Sequence, residues 1–156
     1  MKKCIQFCLA AMVLVAFAAC SGKNEVDPRD AFVGVYAYTA TGNVDLYIGT
    51  LHWNVPLNDK GTFTVSKADD ANQVVIEGYN ESINATVSGN QLVLESNTVK
   101  TMYGDIELTL TFLYDKATLA DNQLTWETDV QGIGRYSGYT ATGEGHVSVV
   151  GVKQQN

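Results

Sequence analysis

The sequence predicts an all-β domain of about eight to ten strands, a β-barrel or a β-sandwich. Three observations carry this. From Phe32 onward apolar and polar residues alternate with a period of two, as half-buried strands require. Short clusters of Gly, Asn, Asp and Ser interrupt the alternation at close intervals. No stretch of this region shows the 3.6-residue period of an amphipathic helix; Asp115–Asp121 has room for one helical turn at most.

The chain has 156 residues, is 46% hydrophobic and carries a net charge of −7, which suits one folded domain and excludes a disordered chain. It also argues against a nucleic-acid binder, which needs a basic footprint.

The first element is different in kind. Met1-Lys2-Lys3 is basic, Leu9–Ala19 contains no polar residue, and the run ends in Ala18-Ala19-Cys20. A basic start, a short apolar core and small residues at the cut describe a signal-peptide helix over residues 1–19. The apolar stretch is short for a membrane span, which needs about 20 residues. Phe17-Ala18-Ala19-Cys20 resembles a bacterial lipobox, with Phe in place of the usual Leu. That resemblance implies cleavage before Cys20 and lipid attachment to it. Cys4 and Cys8 leave with the signal, so the expected mature chain has no intrachain disulfide. Residues 1–19 hold two Lys and no acid, and without them 137 residues remain at −9.

Residues 20–31 are expected to form a flexible tether, polar and interrupted by Pro28. The eleven residues from Ser21 to Ala31 would span about 17–20 Å. Glu25, Asp27 and Asp30 near Cys20 resemble the export signals of Bacteroidota-type lipoproteins. The implied address is the cell envelope, as an outer-membrane lipoprotein on its periplasmic or surface face. The membrane is then a partner through the anchor at Cys20.

Residues 32–156 are expected to be a single β domain. Strands are predicted from Phe32, at Leu51/Trp53/Val55, Thr62–Ser66, Ile83–Val87, Ile106–Phe112, Gln123–Glu127 and Val147/Val149. Turns are expected at Gly42-Asn43, Asn58–Gly61, Asp69–Asn72, Asn80-Glu81, Ser88–Asn90, Asn97-Thr98, Gly104-Asp105, Asp121-Asn122, Gly132–Gly134 and Gly143–Gly145. Tyr38-Thr-Ala-Thr-Gly42 recurs as Tyr139-Thr-Ala-Thr-Gly143 near the last strand, which suits two strands that meet side by side to close a barrel.

The opening strand Phe32-Val-Gly-Val-Tyr-Ala-Tyr38 resembles that of lipocalin-like (calycin-like) domains, with Gly34-Val35-Tyr36 in place of Gly-x-Trp. The resemblance spans roughly residues 32–153 and implies an antiparallel up-and-down β-barrel with one open mouth, the β-sandwich remaining the alternative. It gives Gly34 and Arg135 structural roles, with Arg135 packed over the opening aromatic. The C-terminal helix usual in lipocalins has no counterpart.

Motifs of chemistry are scarce. The sequence has no Gly-x-Ser-x-Gly, no phosphate loop and no Cys pair at metal spacing. His52 and His146 fall on the polar faces of strands, so no metal site, cofactor or catalytic residue is expected and the reading is a non-enzyme. The aromatics are the positive signal. Tyr36, Trp53, Phe112 and Trp126 lie on candidate interior faces, where they either fill a core or line a pocket. The expected function is a lipid-anchored envelope barrel that binds a small apolar or amphipathic ligand. The alternative is a non-catalytic surface or periplasmic protein-interaction module, its partner unspecified.

Overall fold

The structure, a computed structural model, describes residues 26–78 and 81–155. The signal segment and Cys20 lie outside the described residues, as does Asn80 of the turn expected at Asn80-Glu81. Ten strands follow one short 3₁₀ turn, Pro28–Ala31. They are β1 (Gly34–Ile48), β2 (Leu51–Lys67), β3 (Gln73–Gly78), β4 (Glu81–Ser88), β5 (Gln91–Leu94), β6 (Asn97–Tyr103), β7 (Ile106–Tyr114), β8 (Lys116–Ala120), β9 (Gln123–Tyr136) and β10 (Tyr139–Lys153).

These strands form one antiparallel sheet that closes on itself, as a barrel does and a sandwich does not. The ring runs β1-β2-β3-β4-β5-β8-β9-β10 and returns to β1. The closing pair is β1 with β10, from Tyr36↔Lys153 to Ile48↔Ala141. The two strands that share the Tyr-Thr-Ala-Thr-Gly sequence are therefore neighbours. The repeats themselves are offset, since Tyr38 faces Gly151 and Ala141 faces Ile48. The β6–β7 hairpin, inserted between β5 and β8, adds to the far half of β9 instead of joining the ring.

Among the described residues, five two-residue hairpins set the register. Asp121-Asn122 and Ser137-Gly138 take positive φ at both positions, as a type I′ turn requires; Gly49, Gly89 and Gly104 take positive φ at the first.

β1, β2, β9 and β10 have 15, 17, 14 and 15 residues, longer than the usual 3–10. At about 3.3 Å per residue they run some 45–55 Å, too far for one small core. Two cores result. One fills the closed ring, with Phe32, Tyr36, Phe63, Val65 and Leu124 at its centre. The other lies under the curled extension formed by the distal halves of β1, β2, β9 and β10 with β6 and β7, and is built on Val44, Leu46, Ile48, Leu108 and Val130.

This length corrects several expected turns. Gly42-Asn43 lies within β1, Asn58–Gly61 within β2, Gly132–Gly134 within β9 and Gly143–Gly145 within β10; Asn97-Thr98 opens β6. The inward alternation runs straight through them: Ala40, Gly42, Val44, Leu46 and Ile48 share one face. Asp115–Asp121 holds strand β8 and no helical turn. In the extension, residues 51–61 of β2 and all of β6 leave one edge unpaired among the described residues. Pro56 sits in that stretch, as edge strands allow.

Residues 27–31, the last of the expected tether, are held against the barrel. Pro28 begins the 3₁₀ turn, with Asp27 as its cap accepting from the Arg29 backbone N–H. Arg29 donates to the carbonyls of Ala68 (3.1 Å) and Asp70 (2.9 Å), and Lys67 pairs with Asp27 (2.9 Å) and Asp30. Lys153 Nζ donates to the Ala31 carbonyl at 3.0 Å. Phe32, fully buried, joins the ring core at this end.

Candidate functional site

Where the two cores meet, the structure has a partly open pocket. A cavity of about 150 Å³ is lined by Tyr38, Phe63, Ile76, Gly78, Ile83, Tyr114, Trp126 and Val149. A cavity of this size accepts a benzene ring.

Phe63 organises the aromatic half. It stacks on Tyr36 with centroids 5.0 Å apart, meets Trp126 edge-on at 5.7 Å and lies tilted against Tyr38 at 6.0 Å. Edge-to-face and offset pairs are the arrangements the ring quadrupoles favour. Glycines make the room. A Cβ on Gly151 would stand 2.7 Å from the Phe63 ring, and one on Gly61 would stand 2.9 Å from Tyr38. Ile76, Ile83 and Val149 provide aliphatic wall opposite.

Trp126 is placed by a change of partner. β9 pairs with β8 through Thr125 and with β7 from Thr128, so Trp126 and Glu127 lie at the switch. Outside it, Asp115, Lys116, Thr125, Glu127 and Ser148 border an open polar hollow that also touches Trp126. The indole Nε1 is buried, and no atom of the described residues accepts its hydrogen bond. A buried donor left unsatisfied costs about 1–3 kcal/mol. Tyr38 carries the other polar group whose partner is defined: its hydroxyl donates to Asp59 Oδ2 at 2.5 Å.

The four aromatics singled out in the sequence have four different positions. Trp126 lines the cavity. Tyr36 stands behind Phe63, wholly buried, its hydroxyl donating to the Phe32 carbonyl at 2.7 Å; burial pushes its pKa up to about 12. Phe112 stacks on Tyr114 at 6.0 Å and packs on the second core. Trp53 faces inward beside Leu46 near the distal turn, 41% exposed and about 33 Å along β2 from Phe63. Tyr36 and Phe112 thus support rings that line the cavity, and Trp53 is remote from it. Tyr38, Phe63 and Tyr114 line it and were not selected. Tyr38 stood in the repeated pentapeptide and Phe63 in a predicted strand, but pairing across the barrel, which sequence spacing does not carry, is what brings them together.

Gly34, at φ 153°, lies beneath the Lys153 side chain, whose Cε would be 2.7 Å from an added Cβ. The late basic residue beside the opening aromatic is therefore Lys153, paired with Tyr36, and not Arg135. Arg135 sits at the opposite end of β9, across from Glu107 and Thr140 and about 40 Å along the strand from Gln123.

The histidines lie on the outer face. His52 Nε2 is 2.8 Å from Asp45 Oδ1 and its ring stacks on Tyr47. His146 Nδ1 is 2.9 Å from Asp129 Oδ1, with Glu127 farther off, and these carboxylates raise its pKa, Asp129 most. Among the described residues no three His, Cys, Asp or Glu side chains converge on a point where a metal ion could sit.

No protein-family model and no curated protein matches the chain. Among solved structures, the ywiB protein from Bacillus subtilis is 11% identical, with 78% of this chain and 94% of that chain covered at a TM-score of 0.32. The S-type phycobiliprotein lyase CPES from Guillardia theta is 8% identical, with 86% and 98% covered at a TM-score of 0.30.

Proposed function

We propose that this chain is a lipocalin-like, lipid-anchored lipoprotein of the bacterial cell envelope whose barrel binds one small apolar or amphipathic molecule. The observation that carries the binding reading is the cavity of about 150 Å³ walled by Tyr38, Phe63 and Trp126. Ligand pockets are concave and mostly apolar and aromatic, as this lining is. The anchor reading rests on the sequence at Phe17–Cys20.

Each half has its own test. In a Trp53→Phe background Trp126 is the remaining tryptophan, and titration with small aromatics and short-chain amphiphiles should shift its emission saturably. A spectrum unmoved by the whole panel rejects ligand binding. Growth with an alkyne fatty acid should label the wild type and leave Cys20→Ala unlabelled; equal labelling rejects the anchor.

The free edges of β2 and β6, flanked by the exposed side chains of Leu51, Trp53 and Met102, favour a second reading. An unpaired edge is a template for an extended segment of another protein. Slowed amide exchange along residues 51–61 on mixing with an envelope partner would support it, and unchanged exchange would count against it.

A further inference from the structure

We infer that the ligand of this barrel is a cationic amphiphile: its apolar part occupies the pocket and its ammonium group pairs with Asp59 at the rim. The inference rests on the ligand-binding reading above and deepens it.

Asp59 breaks the pattern of its own strand. The inward positions of β2 run Val55, Leu57, Asp59, Gly61, Phe63 and Val65. One carboxylate stands in an otherwise apolar row. Its partner across the sheet is Ala40, which packs on the second core.

The carboxylate stands beside the pocket. Tyr38 lines the pocket, and its hydroxyl donates to Asp59 Oδ2 at 2.5 Å. The tip of the Tyr38 side chain lies over Gly61, where an added Cβ would be 2.9 Å from Cε1 and 3.2 Å from the hydroxyl oxygen. Asp59 is thus about one phenol ring away from the lining, and it is exposed. A ligand in this partly open pocket can keep a charged head in water there.

The sign of that head follows. No residue of the lining is charged. Among the described residues no Lys, Arg or His forms an ion pair with Asp59. Lys60, its neighbour in sequence, takes the outer face of β2. An anionic head would be repelled by Asp59 and by a chain at −7, and a neutral head gains nothing from the charge. Aromatic rings beside the rim add attraction for an ammonium. An inward charge can also guard an unpaired edge strand, as residues 51–61 are. A guard alone gives no preference among head groups.

Calorimetric titration of the full chain at neutral pH and low salt with hexylammonium, hexanol and hexanoate tests this, because the three share one tail. Hexylammonium should bind about fivefold more tightly than hexanol, the upper range for an exposed ion pair, and hexanoate more weakly than either. The advantage should fade in 1 M salt. Asp59→Asn keeps an acceptor for the Tyr38 hydroxyl and removes the charge. It should bring hexylammonium down to hexanol and leave hexanol unchanged. Asp59→Lys should make hexanoate the tightest of the three. The salt dependence of the wild type decides the matter even if a variant folds poorly. Equal affinities, a preference for hexanoate, or an ammonium preference that survives Asp59→Asn overturns the inference and leaves ligand binding standing. Silence from all three probes overturns the inference too, and the binding reading with it when the small-aromatic panel is also silent.

Discussion

Gly143 on β10 stands directly opposite Gly132 on β9, and Leu46 and Leu110 lean in from the flanking strands over the space their missing side chains leave. A Cβ on Gly143 would lie 2.9 Å from Leu46 Cδ2, and one on Gly132 would lie 3.0 Å from Leu110 Cδ2. The two Gly-x-Gly sequences are thus neither turns nor nucleotide loops. They form a strip of bare backbone along which the sheet coils tightly enough for β1 and β7 to share a core.

The strip predicts a graded mutational response. A Cβ on Gly134 would fall 2.1 Å from the Glu107 carbonyl oxygen, and one on Gly145 would fall 2.2 Å from that of Asn43. Backbone cannot yield as a leucine terminus can. Gly134→Ala and Gly145→Ala should each cost about 1–3 kcal/mol as overpacking does. Gly143→Ala, whose nearest neighbour is a leucine methyl, should cost less. Urea unfolding of the three variants should order them so, and equal losses would discard the account.

Trp126 should show the mark of an unsatisfied donor. Trp126→Phe removes the buried N–H and keeps most of the ring, so stability should hold or rise, by up to about 1 kcal/mol. Trp126→Ala should lose about 3–5 kcal/mol. A large loss in the Phe variant, measured by thermal or urea unfolding without ligand, would mean the indole N–H is already engaged.

The fold was far more legible than the site. Alternation in Ile106–Phe112 and Gln123–Glu127 depends on neighbouring residues, and it named those strands directly. Gly42-Asn43 and Asn58–Gly61 misled because turn residues within a sheet look the same as turn residues at its ends. Gly61 lies under the Tyr38 ring and Gly42 faces Val147, and both relations are set by strands distant in sequence. The cavity depends on such cross-barrel relations altogether. Trp126 could be named as an interior aromatic. Its place at the β8-to-β7 switch could not, because the excursion of β6 and β7 away from the ring leaves no trace in periodicity.

The ring end closed by Phe32 should be sensitive to acid through Asp27. Hydrogen bonds from Arg29, then Lys67, hold this carboxyl well below the usual carboxylate range. A depressed folded-state pKa contributes stability above the unfolded value, near 3.9, and loses it as pH falls toward the folded value. Asp27→Asn keeps the cap oxygen and removes the charge. The variant should melt below wild type at pH 7, and the gap should narrow steadily below about pH 4. It should also shrink in 1 M salt, since these groups are partly exposed. A gap independent of pH would assign the effect to geometry.

Tyr36 should govern the alkaline limit. Its hydroxyl is sealed in the ring core against the Phe32 carbonyl, and burial pushes its pKa up to about 12, against about 10 in an unfolded chain. A raised folded-state value leaves stability intact below the unfolded pKa and removes it as pH climbs through the folded one, because only the unfolded chain ionises readily between the two. Wild type should therefore lose stability between pH 10 and 12. Tyr36→Phe, about 0.5–1.5 kcal/mol less stable at pH 7 for want of one hydrogen bond, should lose less over the same interval, so the two unfolding curves converge. Parallel decline of both proteins would mean that the alkaline transition does not originate in the Tyr36 hydroxyl.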